Sequence, residues 1–261
     1  MFGSHPATIW HFWHLVTRLG EAQVVLPLAL MALAGRARNP EARSAALRWI
    51  TWLGLAMLVT LASKVAFIGW GIGSAALDFT GISGHTMFAA AVYPTLGAAL
   101  ASGSSARARR AAIAAGCALA LLVGLSRVVL GTHSISEIIA GWFVGGLVSL
   151  VVLCGAIAAQ ARIDAWLVAV TALWMTLIPA TAPTVDTHSF VTRLALELSG
   201  HQQPFTRRQL LSSEARQRRS VEVPWSRTSL TFAAKSSNVN GLVIRCRPGS
   251  SRPWCTMALR A

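Results

Sequence analysis

Seven residues in this chain stand out for the chemistry that their types and spacing allow. His133 and Glu137 are four positions apart, so on a helix they share a face. A carboxylate there can hold an imidazole in one tautomer and stabilise its protonated form. An imidazole so oriented is a competent nucleophile. His85 is a second candidate for acid–base work, able to protonate a leaving oxygen. Lys64 and Arg127 supply positive charge, and the planar guanidinium suits phosphate oxygens. Ser83 and Gly84 come just before an apolar run, where free N–H groups at a helix start attract anions. Two cations, a hydroxyl, backbone donors, two histidines and a carboxylate are the parts of phosphoryl transfer, which needs mainly positioning and charge neutralisation.

Each residue has a plainer reading. A histidine at a helix start is usually a cap, and an arginine at a membrane edge usually reaches for headgroups. A His–Glu pair one turn apart is often only a surface pair. Their joint occurrence on one predicted membrane face favours the phosphate site, because ionisable groups at the membrane are costly.

The elements that must position them are apolar. Of 261 residues 54% are hydrophobic and 12% charged, with a mean hydropathy of +0.55. A soluble domain carries about 25% charged residues. Six stretches are apolar and long enough to cross a bilayer: roughly 18–35, 46–66, 85–102, 111–130, 138–159 and 164–181. The expected fold is all-α, a polytopic six-helix transmembrane bundle. An aromatic-rich interfacial helix over residues 1–17 precedes it, and a poorly structured tail over 183–261 follows the 18–182 membrane domain. His11 and His14 fall in the interfacial helix and are read as headgroup-level packing, not as a metal pair.

Arginines group between spans one and two (Arg36, Arg38, Arg43, Arg48), between three and four (Arg107, Arg109, Arg110) and between five and six (Arg162). Cytoplasmic loops are rich in such residues. These loops therefore face the cytoplasm, and both termini and the seven site residues face outward. The expected location is a bacterial inner membrane with the site on the periplasmic or exterior side.

Residues 1–182 carry eleven Lys and Arg against five Asp and Glu, and residues 183–261 carry twelve against four. The tail thus holds more than half of the +14 net charge. Its run at Arg216, Arg218 and Arg219 could touch anionic headgroups. Cys117 and Cys154 lie in apolar runs and read as small buried hydrophobes. Cys246 and Cys255 could pair if the tail is extracytoplasmic. No metal-ligand spacing appears, so no metal or cofactor is expected. Asp78 reads as a loop cap or a contact to Lys64.

The motifs TGISGHT (80–86) and SRVVLGTHSISE (126–137) resemble signatures of the type 2 phosphatidic acid phosphatase and vanadium haloperoxidase superfamily, over roughly residues 45–160. There the third signature is Ser-Arg, five residues, His, three residues, Asp, and Glu137 takes the place of the Asp. The second is Pro-Ser-Gly-His, with Ile82 in place of the Pro. The first is Lys, six residues, Arg-Pro; Lys64 fits it, but Gly71 stands where the Arg belongs.

The resemblance implies that His133 forms a phosphohistidine, His85 is the general acid and Glu137 orients His133. It also implies that Lys64, Ser83, Gly84 and Arg127 bind phosphate. The expected activity is metal-independent hydrolysis of a lipid phosphate or diphosphate, in contact with membrane lipids and without a nucleic-acid partner. The alternatives are a catalytically impaired lipid-phosphate binder and a lipid phosphotransferase.

Overall fold

The computed structural model describes residues 7–37, 40–155, 165–181, 187–213, 242–247 and 254–259. The chain divides into two compact units, Met1–Ser212 and Ser213–Ala261.

The first unit is all-α. Its helices are α1 (Ala7–Arg18), α2 (Ala22–Ala37), α3 (Pro40–Trp70), α4 (Gly84–Leu100), α5 (Ala106–Val129), α6 (Ile135–Gly155), α7 (Ala165–Thr181) and α8 (Thr187–Ser199). Helix α4 is the centre. Met87, Ala89, Ala91, Val92 and Ala99 on it are almost fully buried, and it packs between α5 and α6. Small residues permit that approach. A side chain at Gly116 of α5 would meet the backbone of Tyr93, and one at Gly145 of α6 would meet the carbonyl of Met87.

The outer faces of the same helices are apolar and uncovered. Leu121, Leu125 and Val129 form an exposed stripe on α5, and Ile139, Phe143 and Leu150 form one on α6. A hydrocarbon solvent suits these faces, because the helices satisfy their own backbone groups. The protein is an integral membrane protein. Each of the six expected stretches contains a helix. Among the described residues, Ala46–Trp70, Ala106–Val129 and Ile135–Cys154 are long and apolar enough to cross a membrane. Helices α1 and α2 count as a fourth span if they are one span bent by 44° at the break between Arg18 and Ala22. The expected interfacial helix is therefore equally the first arm of a broken span. The shorter α4 and α7 leave the count of six unconfirmed.

The tail expected to lack structure from residue 183 onward needs correction. Helix α8 packs on α3, burying Ala195 beside Val65, Phe67 and Ile68. A further helical turn follows at 207–213. In the second unit, β1 (Leu242–Arg247) pairs antiparallel with β2 (Trp254–Leu259), and the register sets Cys246 opposite Cys255. Arg38, Arg162 and the basic run at Arg216, Arg218 and Arg219 lie outside the described residues.

Candidate active site

Helix ends deliver the site. The C-terminal part of α3 carries Lys64, the start of α4 carries Gly84 and His85, and the last turn of α5 carries Arg127. The loop from α5 to α6 carries His133, and the first turn of α6 carries Glu137. Antiparallel neighbours joined by short loops bring these ends together at one end of the bundle.

Local chemistry places His133. Helix α5 ends at Val129, and the next residues fold back over its last turn. The N–H groups of Thr132 and His133 donate to the Arg127 carbonyl at 3.1 and 3.3 Å. Ser134 then caps α6. The Ser134 N–H donates to Glu137 Oε2 at 3.1 Å, and the Glu137 N–H donates to Ser134 Oγ at 3.4 Å. This reciprocal pair is a capping box, Ser-x-x-Glu. The box fixes the Glu137 side chain before any function is asked of it. The same Oε2 faces His133 Nδ1 at 2.6 Å. A carboxylate can only accept, so Nδ1 carries the proton and Nε2 keeps its lone pair.

Glu137 is fully buried, and its other oxygen is equally occupied. Oε1 accepts the Thr80 N–H at 2.8 Å, the Thr80 hydroxyl at 2.5 Å and Arg207 Nη2 at 2.6 Å. The donors around this carboxylate hold it in one orientation. His133 lies outside the membrane-spanning segments. Its pKa is held below the ordinary histidine value, first by burial. Glu137 opposes that effect, and the charges of Arg127 and Lys64 reinforce it.

The two cations of the sequence reading lie near one another. Lys64 Nζ lies 4.0 Å from where a side chain on Gly84 would begin. Lys64, Arg127 and His133 are all near enough to His85 to act on it electrostatically. Arg127 Nη1 donates to Thr17 Oγ1 at 2.9 Å, while its Nε is buried without a partner among the described residues. An orphaned donor of that kind costs about 1–3 kcal/mol unless an anion satisfies it.

Ser83 differs from its expected part. It is fully buried, and its hydroxyl is hydrogen-bonded with Thr86 Oγ1 at 3.0 Å. Its N–H donates to the Glu137 carbonyl at 3.2 Å, which ties α4 to α6. Ser83 therefore offers the helix start, whose first N–H groups lack intrahelical partners, more than its hydroxyl. Gly71 also has a structural explanation. It ends α3 at φ +71°, with its N–H on the Phe67 carbonyl at 2.8 Å, a left-handed glycine cap.

Asp78 touches neither Lys64 nor a helix start by any hydrogen bond described. Its Oδ2 instead accepts Arg207 Nη1 at 3.3 Å. Arg207 was placed in the unstructured tail by its composition. A local signal for its order was nonetheless present. Thr206-Arg207-Arg208-Gln209 is a second capping box, with the Thr206 N–H on Gln209 Oε1 at 2.8 Å and the Gln209 N–H on Thr206 Oγ1 at 3.4 Å. Among the described residues no group of three or more His, Cys, Asp or Glu could hold a metal ion.

The PAP2 superfamily model matches residues 72–161, the stretch that contains His85, Arg127, His133 and Glu137. The chain is also similar to an uncharacterized 22.5 kDa protein of the cps region of Klebsiella pneumoniae. The two are 38% identical over 133 residues, 51% of this chain and 64% of that protein, so the chain spans just under two thirds of this relative's length. A solved structure is similar as well, the first transmembrane PAP2 type phosphatidylglycerolphosphate phosphatase from Bacillus subtilis. It is 23% identical at a TM-score of 0.48, covering 58% of this chain and 78% of that one. Lys64 and Arg207 both fall outside the matched PAP2 residues, one on each side.

Proposed function

We propose that this protein hydrolyses a lipid phosphate or diphosphate through a phosphohistidine on His133. The observation that carries the reading is the 2.6 Å contact of His133 Nδ1 with a fully buried, fully hydrogen-bonded Glu137. That contact leaves Nε2 as the free nucleophilic atom. In the first step Nε2 attacks phosphorus, and the bond to the lipid oxygen breaks as His85 gives that oxygen a proton. In the second step His85 takes a proton from water, the water oxygen attacks phosphorus, and the P–N bond breaks to release phosphate and neutral His133. Lys64, Arg127 and the Gly84 N–H at the start of α4 hold the phosphoryl oxygens while charge spreads over them. The orphaned Arg127 Nε supports an anion at this place.

A site built from helix ends at the membrane edge suits a phosphate at headgroup level. We place that edge on the periplasmic or exterior face of a bacterial inner membrane, since the Arg-rich turn at Arg107, Arg109 and Arg110 lies at the opposite end of α5. Detergent-purified protein should release phosphate from one or more of phosphatidic acid, phosphatidylglycerol phosphate and a polyprenyl diphosphate. His133→Ala and His85→Ala should abolish that release. Equal inactivity of all three proteins on every lipid would overturn the hydrolase reading.

A further inference from the structure

The segment after α8 is strapped across the end of α3, and every anchor is local and specific. His201 Nδ1 meets the Gly69 carbonyl at 2.7 Å, and the Phe205 N–H donates to the Ile68 carbonyl at 2.9 Å. The Phe205 ring fills the space beside Gly71, where a Cβ would lie 3.0 Å from it. Leu210 packs on Val65, Phe67 and Ile68. Phe205 and Leu210 flank the second capping box at the positions of a hydrophobic staple. Arg207 is the first residue of that helical turn. Its guanidinium bridges Glu137 Oε1 at 2.6 Å, Thr80 Oγ1 at 3.3 Å and Asp78 Oδ2 at 3.3 Å.

Resting on the proposed hydrolase reading, we infer that residues 200–212 are a working part of the active site and that Arg207 is its positioning residue, holding the Glu137 carboxylate toward His133 and balancing its charge. Arg207 touches no reacting atom. It acts through Glu137, whose one oxygen it takes while His133 takes the other. Asp78 secures the far side of the guanidinium from a left-handed backbone position at φ +49°, an unusual one for a residue with a side chain. Position 71 cannot supply an arginine here, because the α3 cap needs glycine and Phe205 occupies the space. The strap brings a guanidinium to the carboxylate that orients the nucleophile instead.

The charge logic has a definite sign. The groups facing His133 are Glu137 from α6, Lys64 from α3, Arg127 from α5 and His85 from α4. Arg207, with Asp78 behind it, faces Glu137. Removing the Arg207 charge leaves more of the Glu137 charge to stabilise protonated His133. Protonation then persists to higher pH, where wild-type His133 is already a free nucleophile.

The test compares wild type, Arg207→Gln, Arg207→Lys and Arg193→Gln in detergent. One readout is the pH dependence of kcat and KM for phosphate release. A second, independent of turnover, is the pH dependence of diethyl pyrocarbonate modification of His133, followed by mass spectrometry. Arg207→Gln should lower kcat by roughly tenfold with little change in KM. It should also move both the acid limb and the half-modification point up by about half a pH unit. Arg207→Lys, which keeps a charge but not the fork, should fall between it and wild type. Arg193→Gln, an exposed position on α8 outside the strap, should match wild type. Unmoved pH profiles in the Arg207 variants would overturn the inference, even if kcat fell. A wild type inactive on every lipid would overturn the hydrolase reading, and the modification profile would still decide the part of Arg207.

Discussion

Helix α5 starts on Ser105 and helix α6 starts on Ser134, at opposite ends of the bundle. At Ser105 the hydroxyl accepts the Ala108 N–H at 3.2 Å, and the alanine has nothing to return. At Ser134 the third residue on is Glu137, which bonds back to the Ser134 N–H and then reaches Thr80, Arg207 and His133. Arginines at the two ends differ in the same way. Arg110 is exposed and bonds only its own helix, at the Ala106 carbonyl, among the hydrogen bonds described. Arg127 is half-buried and bonds Thr17 on another helix. Both ends solve the same problem of satisfying a helix terminus. At one end the solution stops there, and at the other it is reused to hold a histidine.

The sharpest way to break this comparison is to remove the histidine. His133→Ala should lower phosphate release by about 10⁴-fold or more, as loss of a nucleophile does elsewhere, while the protein still folds in detergent because Glu137 keeps Ser134, Thr80 and Arg207 as partners. A variant retaining a tenth of the wild-type kcat would show that His133 is not the nucleophile.

Glu137→Gln comes next, at about 10³-fold in kcat, because the wrong tautomer of His133 then competes. The amide also turns a donor toward Thr80, Arg207 or Ser134, so stability should fall by about 3 kcal/mol or more, as expected when one partner of a buried pair is lost. Glu137→Asp, which restores the residue of the family signature, keeps the charge but loses one methylene of reach. It should fall between the two. If the aspartate variant were as stable and active as wild type, the capping box would have no claim on the longer side chain.

The pH profile gives a smaller but signed effect. Burial, with Arg127 and Lys64, holds the His133 pKa below the ordinary histidine value of 6.5. The neutral nucleophile therefore survives below that pH, and kcat/KM should fall on the acid side with a midpoint below about 6.5, then about tenfold per pH unit. Glu137 favours the protonated form, so its loss should move the limb further down, opposite in sign to the loss of Arg207. An acid midpoint above pH 7 in wild type would contradict the arrangement.

Much of this site was legible in the sequence because its spacing is local. The four-residue step from His133 to Glu137 is one helical turn, and Ser134-x-x-Glu137 announces a helix start. The helical stretches followed from apolar runs, whereas their lengths did not. Helix α4 runs only from its Ser83 cap to Leu100, and among the described residues three helices have spanning length and composition. Arg207 was hidden by distance. It lies 70 residues from Glu137 and 129 from Asp78, and no periodicity links positions so far apart. The polar composition around it pointed to disorder, although Phe205, Thr206, Gln209 and Leu210 spell a staple and a box. Gly71 carries two descriptions. Against the family signature it is a missing cation, and in the fold it is a cap.

Gly71→Arg separates those two descriptions of position 71. An L-residue in the left-handed region costs about 1–2 kcal/mol, and the new side chain meets the Phe205 ring. The thermal midpoint should fall, and phosphate release should not rise. A gain in kcat/KM without loss of stability would mean that position 71 is a vacant phosphate contact after all.

The smallest effects return to the two serines. Ser105→Ala and Ser134→Ala each delete one cap hydroxyl, and each should cost about 1 kcal/mol, seen as similar falls in the thermal midpoint. Ser105 stands at the end without the histidine, so its loss should leave kcat and the pH profile unchanged. Ser134 Oγ accepts the N–H of Glu137 itself and bonds Ser136 Oγ at 2.9 Å, whose own hydroxyl donates to the Leu77 carbonyl at 2.7 Å. Freeing that turn loosens the carboxylate and the loop that carries His133. The Ser134 variant should therefore lose several-fold in kcat for the same loss of stability. Equal kcat in the two variants would show that α6 holds Glu137 in place without its cap, through Thr80 and Arg207 alone.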